Sequence, residues 1–349
     1  MGLFRLLLAL SVALGHLHHN QKVMIDGFVA VQCFFMLSGF FIFKTYTHKY
    51  ASYQYPISKF YTNRFLRIMP LYWLSFIGLM IWAVIQHHYY PNTPNRVAPF
   101  IYFFPKLNVF ENVHFLFSNF ALIGLDWFHF VGFTTQHHYQ FSSQIIGAQE
   151  LIILKPAWSL SIELMFYLLT PFIIKLTNRQ LLFCITILLL LRFNAYQQGF
   201  ESLNWIYMFF PFELAIFLIG GLAFRLSEKK LIVTQKILSI VFCSIPASVI
   251  VISFFTINHY TCWAYYSFIF VGLICSNEAP LWLKKIDTYG GSLSYPIYIF
   301  HFIIVNLLNT IFDNENYLLF ILLVSLTSVA LYFIQQKLDV IRTRIIQLF

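Results

Sequence analysis

Apolar runs close to the length that crosses a bilayer recur from one end of this 349-residue chain to the other. About 20 such residues, rising 1.5 Å each, cover the roughly 30 Å of a hydrocarbon core. With no water in that core, each span must satisfy its own backbone groups, and a helix does so within one segment. We read about ten spans: Leu3–His19, Gly27–Lys44, Ile68–His88, Trp158–Lys175, Leu181–Tyr196, Trp205–Phe224, Ile237–Thr256, Cys262–Ser276, Tyr289–Phe312 and Tyr317–Gln335. The expected fold class is all-α: a polytopic membrane protein, one bundle of about ten transmembrane helices forming a single domain over residues 1–349. With 59% hydrophobic and 10% charged residues, nothing is left over for a separate soluble domain.

The net charge of +9 does not point to nucleic acid, because Lys and Arg sit in short segments between the apolar runs instead of forming one basic face. A cytoplasmic N-terminus puts 17 of the 22 Lys and Arg residues inside, so both termini are expected in the cytoplasm. The exceptions are Lys22, Arg96, Lys106, Lys155 and Arg192. Cys33, Cys184, Cys243, Cys262 and Cys275 show no C-x-x-C pairing and read as small core residues. The histidine pairs lack H-x-x-x-H or HExxH spacing, so no metal is expected. One connection, about residues 89–156, is too long for a turn. Its apolar piece Phe115–Leu125 is short for a span and suits a re-entrant or interfacial helix. The connection reads as a cap over an outward site or as a loop whose aromatics lie among headgroups.

Within the spans, chemistry concentrates in a few stretches. Arg5 and His16 are eleven residues apart, nearly three helical turns, so both leave one face of the first span roughly 16 Å apart along it. Ionisable groups in a span normally face protein or a wet cavity. A cation and a titratable base on one stripe therefore mark a polar path, unless the segment is a secretory signal peptide. Ser38-Gly39 allows a helix or an extended ligand close to the backbone. Arg64 and Arg67, three apart, suit phosphate oxygens or a positive-inside anchor. Glu163 in Trp158–Pro171 needs a partner at its depth: an imidazole, a substrate hydroxyl, or a structural one such as backbone or Arg. His301, following Tyr295 and Pro296, lies about midway along its span, as a site residue or a hydrogen-bonded structural one.

Taken in order, these stretches resemble the acyltransferase-3 family of integral membrane acyltransferases. The residues are Arg5 and His16, the Phe34–Phe40 run, Phe60–Pro70, Trp158–Tyr167 and Gly291–His301. The resemblance implies an O-acyltransferase of the bacterial inner membrane that takes an acyl group, commonly acetyl, from cytoplasmic acyl-coenzyme A. The group goes to a hydroxyl of a surface glycan, such as lipopolysaccharide O-antigen, or of a lipid-linked glycan on the outer side. It makes His16 the base, with Glu163 as its support. Arg5, Ser38, Arg64 and Arg67 become donor-binding residues, and Trp158, Tyr295 and His301 acceptor-binding ones. No fused C-terminal hydrolase-like domain is expected, membrane lipids and a second copy are potential partners, and either direct transfer or an acyl-histidine intermediate is compatible. A different class, a transporter or flippase for a lipid-linked glycan, would line its path with the same polar groups, and a purely structural membrane protein would not need them.

Overall fold

A computed structural model of the chain describes residues 1–17, 25–93, 95–96, 98–133, 139–141, 148–200, 204–228, 269, 272, 281–312 and 316–348. Ten α-helices stand among these residues: α1 Gly2–Leu17, α2 Gly27–Thr45, α3 Pro56–Tyr89, α4 Ala98–Phe103, α5 Val109–Ala121, α6 Ala157–Ile173, α7 Asn178–Gln197, α8 Phe210–Ser227, α9 Leu281–Ile311 and α10 Tyr317–Leu348. Among the described residues six segments, built on α2, α3, α7, α8, α9 and α10, are long and apolar enough to cross a membrane, and α1 and α6 are shorter apolar helices. The protein is an all-α polytopic membrane protein. The expected span Ile237–Thr256 lies outside the described residues, as does Cys262–Ser276 apart from positions 269 and 272.

Local signals set several helix starts. Asp26 caps α2 by accepting from the Phe28 amide at 3.0 Å, and reciprocal capping boxes start α5 (Asn108 with Glu111) and α7 (Thr177 with Gln180). Three helices outrun their apolar windows, among them α9, which begins at Leu281, eight residues before Tyr289. α3 begins at Pro56, where proline suits the first turn, and runs unbroken through Pro70, so Arg64 and Arg67 belong to the spanning helix itself. α10 continues 13 residues past Gln335, since good helix formers such as Gln, Lys and Arg carry the helix on after apolar residues run out.

Contacts along the helices give their directions. Gly2 meets Gly291 and His16 meets His301, so α1 and α9 run the same way. Tyr295 reaches Ile68, Ile303 packs on Gly78, and Gln86 donates to the Thr310 hydroxyl at 2.9 Å, which aligns α3 with them. α2 and α8 run together, from Gln32 beside Glu213 to Phe40 beside Phe224. They pack at glycine: a β-carbon on Gly39 or Gly220 would lie 2.0 or 1.9 Å from a backbone oxygen of the other helix. Gly220→Ala is therefore expected to destabilise the fold by about 1–3 kcal/mol through overpacking. Thermal unfolding in detergent should separate it from Gly15→Ala, whose new methyl meets no atom from elsewhere in the described residues within 4 Å.

The long connection packs back against α3 and α6. The Tyr72 hydroxyl donates to the Asn119 carbonyl, and the Trp73 indole N–H donates to Phe120 at 3.0 Å. Asn119 also bonds the backbone of Leu151 and Ile153 at 3.1 Å each. Phe110, Phe117 and Phe120 of α5 remain exposed, as do Leu190, Phe193, Leu322 and Phe333 of α7 and α10. A bilayer is the medium in which such faces cost nothing. The same connection holds a two-stranded hairpin, with Val131 paired to Phe141 and Phe133 to Tyr139.

Candidate active site

The register of α1 on α9 builds the site. The Asp287 carboxylate accepts from the Leu3 amide at 2.9 Å, supplying from a neighbouring helix a partner for one of the unpaired amides of α1. Gly2, Gly290 and Gly291 let the two backbones touch. Arg5 is thereby held over a cavity of about 270 Å³. Its other walls include Arg67 of α3, Glu163 and Tyr167 of α6, Tyr295 of α9, and Gln335 and Asp339 of α10. Glu163 is fixed by two hydroxyl donors, Ser38 and Tyr167, both to Oε1. The Tyr295 hydroxyl donates to the Ile68 carbonyl of α3 at 2.8 Å.

A second cavity, about 50 Å³, shares Arg5, Glu163 and Tyr295 with the first and adds Phe34, Phe35, Ser159 and Tyr298. The Tyr298 hydroxyl and Ser159 Oγ lie 2.5 Å apart in a hydrogen bond. From these two cavities a polar seam continues by ring contact, Tyr298 to His301 at 6.2 Å, to two imidazoles. The rings of His16 and His301 are 5.2 Å apart between centroids and tilted by 35°, with Phe302 edge-on to His16 at 5.8 Å. His301 is fully buried. Its Nδ1–H donates to the Ile297 carbonyl at 3.1 Å, leaving Nε2 as the acceptor of a neutral ring. That Nε2 has no hydrogen-bond partner among the described residues. His16 is partly exposed, as a base that must meet a substrate has to be.

The long connection covers this end. Ser161 of α6 donates to Asp126 at 2.8 Å and accepts from the Leu125 amide at 3.2 Å. Burial pushes the Asp126 carboxyl up to about 6 against the effect of the Ser161 bond. Burial also pushes His129 down to about 4, so the ring that packs on Trp158 at 5.9 Å is neutral near pH 7. Arg96 lies 5.2 Å from the Phe302 ring and pairs with Glu150 at 3.6 Å.

The acyltransferase-3 family model, an acyltransferase domain, matches residues 1–334. The chain belongs to the acyltransferase-3 family. No curated protein and no solved structure matches it. The protein is thus a membrane acyltransferase. In this acyltransferase Arg5, Arg67, Glu163 and Tyr295 share one cavity, with Ser38 behind Glu163, while His16 and His301 meet further along the seam. Trp158 is buried against Phe35 and His129. The two arginines of α3 face differently: Arg67 is exposed at the cavity, whereas Arg64 is buried 5.6 Å from the rings of both Phe60 and Tyr167.

Sequence reading missed Tyr167, Ser159, Tyr298 and the α10 wall. Tyr167 stands four residues after Glu163 and Tyr298 three before His301, so helical spacing from the chosen residues would have found both. Gln335 and Asp339 carried no such signal.

Proposed function

We propose that this acyltransferase moves an acyl group, acetyl in the simplest case, from acyl-coenzyme A to a hydroxyl of a surface glycan such as lipopolysaccharide O-antigen, with His16 as general base. The observation that carries this reading is the polar seam from the Arg5 and Arg67 cavity through Tyr295, Ser159 and Tyr298 toward the His16–His301 pair. The cavity's guanidinium groups suit the donor's phosphates. At about 270 Å³ it is below the usual range of ligand pockets and suits part of an extended donor, not the whole.

His16 takes the proton from the acceptor hydroxyl as its oxygen attacks the thioester carbonyl. The carbon–sulfur bond then breaks, and the leaving thiolate receives that proton back from His16. His301 orients His16 by ring contact, and its Nδ1 bond to Ile297 holds its own tautomer. Glu163, with hydroxyls bound to it and Arg5 and Tyr295 around it, organises the donor arm between the two ends. In this reading direct transfer needs no labile acyl-histidine.

The Arg5 end faces the cytoplasm of a bacterial inner membrane. Most Lys and Arg residues belong to that side, and Asp339 lies at the same end of the bundle as Arg5 and Arg67. The test is acyl-group mass spectrometry on surface glycans from cells with and without the protein, beside acetyl-coenzyme A binding by purified protein. An acetyl mass present only with the protein is expected. Unchanged glycans would overturn the acceptor, and no binding would overturn the donor and favour a transporter of lipid-linked glycan.

A further inference from the structure

The donor cavity has a wall that the family match does not include. The match ends at residue 334, yet α10 continues to Leu348 and lays Gln335, Gln336 and Asp339 along the cavity opposite Arg5 and Arg67. Asp339 is four residues from Gln335 and three from Gln336, so they share one helix face, and Arg342 continues it one turn further.

Arg342 is largely buried, with 16% of its side chain exposed. Its Nη1 lies 2.9 Å from Asp339 Oδ1, yet it makes no hydrogen bond in line among the described residues. Arg64 and Arg67 are close enough to repel it. Gln335 Oε1 is likewise buried without a partner among the described residues. Arg5 and Arg67 line the cavity, while Arg64, buried beside Tyr167, and Arg342, one turn beyond Asp339, lie near enough to add to its positive charge. The carboxylates beside them are Glu163, already bonded to Ser38 and Tyr167, and Asp339. Such an excess of partly desolvated positive charge is unfavourable by itself and favours an anion from outside.

We propose that residues Gln335 to Arg342 form the nucleotide wall of the donor site, and that Arg342 binds the outermost phosphate of a phosphorylated adenosine, the 3′-phosphate of coenzyme A. This rests on acyl-coenzyme A being the donor. With the thioester directed toward His16, the ribose phosphate lies at the opposite extremity of the donor. Arg342 lies beyond Asp339 on that side, about 10 Å along α10 from Gln335. Asp339 occupies Arg342 until the phosphate displaces it. No bond is made or broken; one anion replaces another.

The experiment is equilibrium binding of coenzyme A and 3′-dephospho-coenzyme A to the purified full-length protein in nanodiscs. The expected wild-type preference is for coenzyme A. Arg342→Gln should weaken coenzyme A binding about tenfold, the scale of one charge-assisted hydrogen bond. It should leave dephospho-coenzyme A binding within about twofold. Asp339→Asn removes the competing carboxylate and should tighten coenzyme A binding, which keeps the proposal testable should Arg342→Gln fold poorly. Equal weakening of both ligands by Arg342→Gln, no effect on either, or weaker coenzyme A binding by Asp339→Asn would overturn the assignment while the donor reading stands. A wild-type protein that binds neither ligand would overturn the donor reading and this proposal together.

Discussion

His16→Ala is expected to lower acyl transfer by about 10²–10⁴-fold, the contribution of a positioned general base, while leaving the protein folded and its affinity for acetyl-coenzyme A nearly unchanged. Folding should survive because the His16 ring is partly exposed and its ring contacts are with His301 and Phe302. Donor affinity should survive because the Arg5 and Arg67 cavity lies roughly 16 Å along α1 from the imidazole. Single-turnover kinetics with the purified protein would separate the two steps. Residues that act as one unit are not additive, so His16→Ala/His301→Ala should be hardly slower than His16→Ala alone. If His301 served only to fill space, its loss would add a further penalty through misfolding, visible in the melting temperature. Transfer at the wild-type rate by His16→Ala would remove the imidazole from the mechanism.

The features that follow from helical period were legible without a structure. A separation of eleven positions from Arg5 to His16 can only be read one way once the segment is a helix, and both residues line the seam or its end. What period cannot reveal is which other helix faces that stripe. The pairing of α1 with α9 depends on Gly2, Gly290 and Gly291, where missing side chains let two backbones meet. It is this register that sets His301 against His16. For Glu163 the sequence offered an imidazole, a substrate hydroxyl, backbone or an Arg as partner, and the structure supplies two protein hydroxyls instead, those of Ser38 and Tyr167. Hydropathy also misplaces helix ends, because it measures contact with lipid and not the hydrogen-bond ladder. Hence α3 starts twelve residues before Ile68, and α10 outlasts Gln335. The short apolar Phe115–Leu125 segment left a re-entrant and an interfacial helix both open, and what ties the connection to the bundle is Asn119 and Asp126, polar residues whose partners are far away in sequence.

Arg192→Ala is expected to destabilise the protein by about 3–5 kcal/mol, the cost of leaving one member of a buried ion pair alone. Arg192 was an exception to the inside placement of basic residues, a cation near the far end of its span. The structure supplies its reason in α8: Glu213 is fully buried, with Oε1 3.6 Å from Arg192 Nη1 and accepting from Gln32 Nε2 at 2.6 Å. The carboxylate also sits in the first turn of α8, where the helix dipole favours negative charge. Removing Arg192 takes away the cation and leaves Glu213 with an amide donor and a helix end, too little for a charge sealed from water. Glu213→Gln in the same chain removes that charge, so Arg192→Ala/Glu213→Gln should be more stable than Arg192→Ala alone. Unfolding in detergent, followed by helical circular dichroism, measures this double-mutant cycle. Strict additivity would mean that the two groups do not stabilise one another. A positive coupling would explain why a charge stands near the end of an apolar, exposed helix: it joins α7 to α8, and through Gln32 to α2, away from the acyl-transfer seam.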